Sequence, residues 1–263
     1  MEIGISTACF YPIFIEETVP LIKKMGFTSV EIFLNSRQEC KREYCEDLRR
    51  MLDHSGISVY SVHSYTSAYD HVLLFSEYGR RLTDALDIYS EIAEAGKILG
   101  ARYITVHGNR LTNPVPIDVR RYAEILKEII DIAAKRGLYI SQENVSWCQS
   151  ANADFIRQLR EYADDRLCFT LDIKQAYRAN TPVNSYIEAM AGKISAVHIN
   201  DCNDENFCLL PGKGNIDYSN LFSRLGENGF NGDLFIEVYN ANYSKYEELE
   251  WSRKHLQRLI SKQ

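Results

Sequence analysis

The stretch Ile98-Leu99-Gly100-Ala101-Arg102-Tyr103-Ile104-Thr105-Val106-His107-Gly108 reads as a helix end, a closing glycine, a short apolar strand and a histidine at the strand's end. Glycine fits the left-handed position that closes a helix, where any Cβ would cost energy. The same form recurs at Lys24-Met25-Gly26-Phe27 and Lys135-Arg136-Gly137-Leu138, and His54-Ser55-Gly56-Ile57 plays the same part before a third strand. Working outward, β-branched and aromatic runs predict strands over residues 2–6, 29–33, 58–62, 103–107, 139–143, 168–172, 196–200 and 234–239. Helical runs lie between them, among them 17–25, 43–54, 79–99, 119–136, 154–162 and 218–228. The last segment, 243–263, reads as an amphipathic helix with Trp251, Leu256 and Ile260 on or near one face, closing the structure.

Eight strand–helix units in this length predict an α/β protein, a closed (β/α)8 TIM barrel, as one domain over residues 1–263. An open doubly wound sheet is the alternative. The first strand runs into Ile5-Ser6-Thr7-Ala8-Cys9-Phe10, with no G-x-G-x-x-G, which removes most of the support for a dinucleotide fold. No Pro/Gly/Ser-rich linker divides the chain.

The composition is that of a globular protein, 45% hydrophobic and 25% charged. Thirty basic residues against thirty-six acidic ones give a net charge of −6, which argues against nucleic acid or an anionic membrane as the partner. No apolar run is long enough for a transmembrane helix, and the first residues lack the form of a secretory signal. The seven cysteines form no C-x-x-C pair. The expectation is a cytoplasmic protein with free thiols.

In such a barrel the functional side chains project from the C-terminal ends of the strands. Six consecutive strands end in an ionisable group: His63, His107, Glu143, Asp172, His198 and Glu237. Each follows apolar neighbours and would be costly to bury unpaired. Glu143, Asp172, His198 and Glu237, from four adjacent strands, form a candidate site for one divalent metal ion. Mixed oxygen and nitrogen donors suit Mn²⁺, Co²⁺, Zn²⁺, Fe²⁺ or Mg²⁺. A cation would also relieve the repulsion among three convergent carboxylates. His63 and His107 are open to three roles: second-metal ligands, contacts to substrate hydroxyls, or hydrogen-bonded core histidines. Lys174, Arg178 and Lys213 are candidate anion contacts, and Gln175 can hydrogen-bond a hydroxyl or carbonyl. The turn Gly212-Lys213-Gly214 lies where many barrels bind phosphate through backbone N–H groups, though a tight turn with an exposed lysine fits as well. Tyr11, Phe33, Tyr65 and Trp147 are candidates to line the mouth.

The segments Val62-His63-Ser64-Tyr65, Val106-His107-Gly108, Gln142-Glu143-Asn144, Leu171-Asp172, His198-Ile199-Asn200-Asp201, Pro211-Gly212-Lys213-Gly214-Asn215-Ile216-Asp217 and Phe235-Ile236-Glu237 resemble, in order and spacing, the xylose isomerase-like superfamily of barrels. That group holds sugar and sugar-phosphate isomerases and epimerases, inosose dehydratases, hydroxypyruvate isomerases and AP endonucleases. The resemblance implies that Glu143, Asp172, His198 and Glu237 bind the metal and that Glu143 and Glu237 act as the acid/base pair. The implied enzyme is a metal-dependent sugar isomerase or epimerase that moves a proton α to a carbonyl through an enediolate. A keto-cyclitol dehydratase and a non-catalytic sugar-binding barrel are the alternatives, and a phosphodiesterase of the AP endonuclease kind ranks last. A homo-oligomer is possible on this reading.

Two departures weigh against parts of the pattern. Many members carry Asp-x-x-His after strand six, where this chain has Asp172-Ile173-Lys174-Gln175. The nuclease branch has a further Asp-x-His before the glycine turn, where this chain reads Asn206-Phe207-Cys208-Leu209-Leu210-Pro211. Together these dismantle a trinuclear zinc site.

Overall fold

The computed structural model describes residues 1–261. Eight parallel strands close into a barrel in chain order: β1 Ile3–Ser6, β2 Ser29–Phe33, β3 Ser58–His63, β4 Tyr103–Val106, β5 Tyr139–Glu143, β6 Cys168–Asp172, β7 Ile194–Ile199 and β8 Asp233–Ile236. Closure is made by β1 against β8, with Gly4 opposite Phe235. Helices α1 Ile15–Lys24, α2 Arg42–Ser55, α3 Gly79–Leu99, α4 Val119–Ala134, α5 Ala153–Tyr162, α6 Ile173–Arg178, α7 Val183–Ala189, α8 Tyr218–Glu227 and α9 Tyr246–Ile260 accompany the strands.

The helices form for the reasons their sequences give. In α4, Tyr122, Ala123, Ile125, Leu126, Ile129, Ile130 and Ala133 are buried, a stripe at helical spacing. Asp118 caps it by accepting from the Arg121 N–H. Each large apolar side chain so buried contributes about 1.5–3 kcal/mol before entropy is counted. The four glycines expected to close helices, Gly26, Gly56, Gly100 and Gly137, all have φ between +70° and +79°.

The short helices α6 and α7 were not among those the periodicity marks. They have six and seven residues, too few to show a repeat. In α9 the buried residues are Leu249, Ser252 and Leu256. Trp251, expected on the inner face, is 40% exposed and carries Lys213 and His255 on its ring. The end of the expected last helix, Lys262 and Gln263, lies outside the described residues. All seven cysteines are unpaired thiols. Among the described residues, no helix is long and apolar enough to cross a membrane.

Candidate metal centre and proton-transfer site

Strand register brings the site together. Asp172 is the register partner of His198, and β7 and β8 are paired up to Ile199 and Ile236. Glu237 lies one residue beyond β8, its N–H donating to the Ile199 carbonyl. Asn144 fastens β5 to β6: its amide donates to the Asp172 carbonyl and its oxygen accepts the Asp172 N–H. Gln142 does the same toward β4, donating to the carbonyls of Val106 and His107 while accepting from Tyr122 Oη.

Glu143, Asp172 and His198 bring donor atoms within 4.8 Å of one another, and Glu237 joins through His198, in a second group with Glu31. His198 Nδ1 lies 3.0 Å from Glu237 Oε2, 3.8 Å from Asp172 Oδ2 and 4.0 Å from Glu143 Oε1. The shortest matches neighbouring donors around an ion at bonds of about 2.0–2.2 Å, and the other two are somewhat wider than such a pair. His198 and Asp172 are fully buried, Glu143 nearly so, and the Glu237 side chain retains 13% exposure. Asp172 Oδ2, His198 Nδ1 and Glu237 Oε2 are buried without an aligned hydrogen-bond partner, although they lie close to one another. Lys174 Nζ lies 3.2 Å from Asp172 Oδ2, and buried polar atoms are otherwise almost always satisfied, so this group of atoms beside His198 Nδ1 fits a divalent cation. Asp172 serves twice, since its Oδ1 caps α6 by accepting the Gln175 N–H and leaves Oδ2 to the cluster.

The charges respond to one another. Burial and the carboxylates Glu143 and Glu237 raise the Asp172 pKa against the pull of Lys174 and His198. Burial opposes the charged form of Glu143 too, but His107 and His63 outweigh it and hold that carboxyl well below its usual range. Burial disfavours a protonated His198, yet Glu237 and Glu31 raise it well above an ordinary imidazole.

Glu31 is the participant that the strand-end reading missed. It lies within β2, fully buried, with Oε1 3.1 Å from His198 Nε2, close but poorly aligned for a hydrogen bond. Its Oε2 accepts from Ser61 Oγ at 2.7 Å and Thr105 Oγ1 at 3.0 Å. Burial raises its pKa, but His198 outweighs that and holds Glu31 down at about 2. A carboxylate behind a histidine fixes the tautomer and turns the other nitrogen toward a metal. The signal was available: a lone glutamate between Val30 and Ile32 in a buried strand.

The remaining expected contacts divide. His63 is 1% exposed, stacked on Phe33 at 4.3 Å, with Nε2 3.4 Å from Glu143 Oε2. Of the three roles open to it, this burial and contact agree best with a hydrogen-bonded histidine that supports Glu143. His107 lies 3.3 Å from the same oxygen and keeps 14% exposure beside Trp147, so it retains a path to the mouth. Gln175 is buried, its Oε1 accepting from the Ser146 N–H and Oγ. Its side-chain oxygen is thus spent on holding the loop after β5.

Lys174 is not an open anion contact. It is 2% exposed, with Nζ 2.9 Å from Glu237 Oε1 and 3.2 Å from Asp172 Oδ2. Burial would discharge it, but Asp172 and Glu237 raise its pKa well above an ordinary lysine's. Arg178 donates to Tyr239 Oη at 2.9 Å at the exposed rim. Lys213 lies 4.7 Å from the centre of the Trp251 ring, and the turn around it is closed on Asp201, which accepts the N–H groups of Gly212 and Ile216. Of the two readings of this turn, these hydrogen bonds agree with the tight turn bearing an exposed lysine. Tyr11 and Trp147 are exposed aromatics as expected, whereas Tyr65 packs partly against the core.

Fold and strand-end pattern together define a class, and the model of the xylose isomerase-like TIM barrel family matches residues 19–261. The chain belongs to that family. L-ribulose-5-phosphate 3-epimerase UlaE of Salmonella typhi is 25% identical to it over 235 residues, 85% of this chain and 82% of the relative. Among solved structures, a D-tagatose 3-epimerase-like protein superposes with a TM-score of 0.81 at 19% identity, covering 99% of this chain and 97% of that one. The IOLI protein, solved with a zinc atom, superposes at 0.76 and 21% identity over 100% of this chain and 99% of that one. At these identities the superpositions bear on the fold alone.

Proposed function

We propose that this barrel is a divalent-metal-dependent epimerase or isomerase of a ketose or ketose phosphate. The observation that carries the reading is the grouping of Glu143, Asp172 and His198, with Glu237 beside His198 Nδ1 and buried polar atoms there left without an aligned hydrogen-bond partner. The epimerase relative acts on a ketose phosphate, which agrees in substrate class. When bound by these four residues, the cation would supply Lewis acidity to the substrate's carbonyl oxygen.

The protein's own residues do the rest. Glu143 is held ionised by His63 and His107 on one oxygen and is positioned to take the proton α to the carbonyl. The C–H electron pair moves toward the carbonyl oxygen, giving an enediolate. Glu237, whose Oε1 accepts from Lys174 Nζ, is the second carboxyl group, which passes a proton drawn from solvent to the enediolate, while the abstracted proton leaves from Glu143. Return to the opposite face of the same carbon is epimerisation, and return to the neighbouring carbon is isomerisation. The surroundings keep Glu143 from bulk water, while Glu237 retains 13% exposure and with it a route to solvent.

The test is exchange of the α-proton in D₂O, followed by NMR with ketoses and ketose 5-phosphates in the presence of Mn²⁺. Wild type is expected to wash deuterium into the carbon next to the carbonyl. Glu143→Gln, which keeps the shape and removes the base, is expected to lose roughly 10²–10⁴ of that rate. Wild-type exchange in the variant, or no exchange with any substrate of the class, overturns the proposal.

A further inference from the structure

The mechanism above uses Lys174 only as a partner of Glu237, and its arrangement carries more. It enters the cluster from the first turn of α6, two positions after Asp172, and its Nζ bridges the Asp172 and Glu237 side chains. The oxygens are chosen unevenly. On Glu237 it takes Oε1 and leaves Oε2 facing His198 Nδ1. On Asp172 it takes Oδ2, the same atom that faces His198 Nδ1 at 3.8 Å. One ligand oxygen thus faces both the ammonium and His198 Nδ1. The Tyr239 ring lies 5.2 Å from Nζ on the outer side.

We infer that Lys174 is a tethered cation that shares Asp172 and Glu237 with the divalent ion and holds the affinity of the site down, so that the ion exchanges with solution instead of being locked in. This rests on reading the cluster as a metal centre.

The argument is electrostatic. Three buried carboxylates, Glu31, Glu143 and Asp172, and the partly exposed Glu237 lie around His198, and the Lys174 ammonium is paired directly with two of the four. An ion bound through Asp172 Oδ2 would lie within about 5 Å of Nζ, where a single and a double positive charge repel strongly even at a high effective dielectric. A neutral residue in place of Lys174 removes that repulsion and leaves two carboxylates free to bind the ion fully. A lysine that merely props Glu237 in position predicts the opposite sign, because its loss would let a ligand swing away and would weaken metal binding.

The experiment is calorimetric titration of Mn²⁺ into EDTA-stripped, full-length wild type, Lys174→Met, Lys174→Gln and Lys174→Arg. The expected result is binding tighter by roughly tenfold or more in the Met and Gln variants, with Arg close to wild type. Thermal unfolding gives a second reading. The Met variant is expected to melt lower than wild type in EDTA and to gain more on adding Mn²⁺. If one neutral variant fails to fold, the other carries the test. Equal or weaker Mn²⁺ binding in a folded neutral variant overturns the role of Lys174 and leaves the metal centre standing. Absence of Mn²⁺, Co²⁺ and Zn²⁺ binding in every protein overturns the metal centre itself.

Discussion

Two regions of this barrel offer candidate ligand sites as sequence and differ as structure: the strand-end cluster of β5 to β8 and the Gly212-Lys213-Gly214 turn after β7. Both combine ionisable residues with a setting that binds ligands in other barrels. In the cluster, acceptor atoms of Asp172, His198 and Glu237 are buried and unsatisfied. In the turn, Gly212 and Ile216 donate to Asp201, Lys213 donates its N–H to the Leu210 carbonyl, and Asn215 donates to the Cys202 carbonyl. In the first region Lys174 meets only part of the need and leaves atoms without an aligned partner, and in the second Asp201 and nearby carbonyls take the N–H groups of Gly212, Lys213, Asn215 and Ile216. Unsatisfied burial, more than residue type, marks a ligand site.

The largest effect should come from removing a donor on the unsatisfied side. His198→Ala is expected to lower divalent-metal affinity about a hundredfold or more, since four donors share the binding energy of such a site. Metal analysis of wild type should find about one ion per chain and the variant little, in line with the single-cation reading. Two ions in wild type would break the comparison, because the His63, His107 and Glu143 group would then have to hold the second.

On the satisfied side, Asp201→Ala should do the reverse. Asp201 is 1% exposed and accepts the N–H groups of Cys202, Gly212 and Ile216. Leaving those donors unpaired should cost roughly 2–4 kcal/mol of stability in urea unfolding. Metal content of the folded fraction should not change. Lost metal in a stable Asp201→Ala protein would show that the two regions are one.

Glu31→Gln probes the support behind the cluster. The carboxylate is held by Ser61 and Thr105 and lies behind His198. Its neutralisation is expected to weaken metal binding roughly 10- to 100-fold, the usual loss when the partner of a metal-binding histidine is removed. Retained affinity would show that His198 is oriented by packing alone.

These cases show why some of the site was legible in the sequence. A buried strand tolerates few polar residues, so Glu143, Asp172, His198 and Glu237 stand out at strand ends, and the order of the strands makes them neighbours. Glu31 escapes that reading because it sits inside its strand. Only the pairing with β3, irregular between Val30 and Glu31, sets it opposite Ser61 and toward His198. Lys174 and Gln175 read as mouth residues because they follow a strand end. The Asp172 cap starts α6 at once, and both side chains are buried there instead. The barrel itself was legible because its repeat of strand, helix and closing glycine is local. The partners of Lys213 and Gly212 are not local, for they come from Trp251 and Asp201.

The smallest effect is expected at Lys213. Its ammonium rests on Trp251 at an exposed position, an interaction worth about 0.5–1 kcal/mol there. Lys213→Ala should therefore lower stability by no more than that. It should leave Mn²⁺ affinity and the KM for a ketose phosphate unchanged, because Asp201 and not an anion occupies the turn's N–H groups. A KM that rises for the phosphorylated sugar alone would mean that Lys213 leaves the tryptophan to meet the phosphate. The turn would then rejoin the cluster as part of one binding site, and the contrast between the two regions would fail at its weakest point.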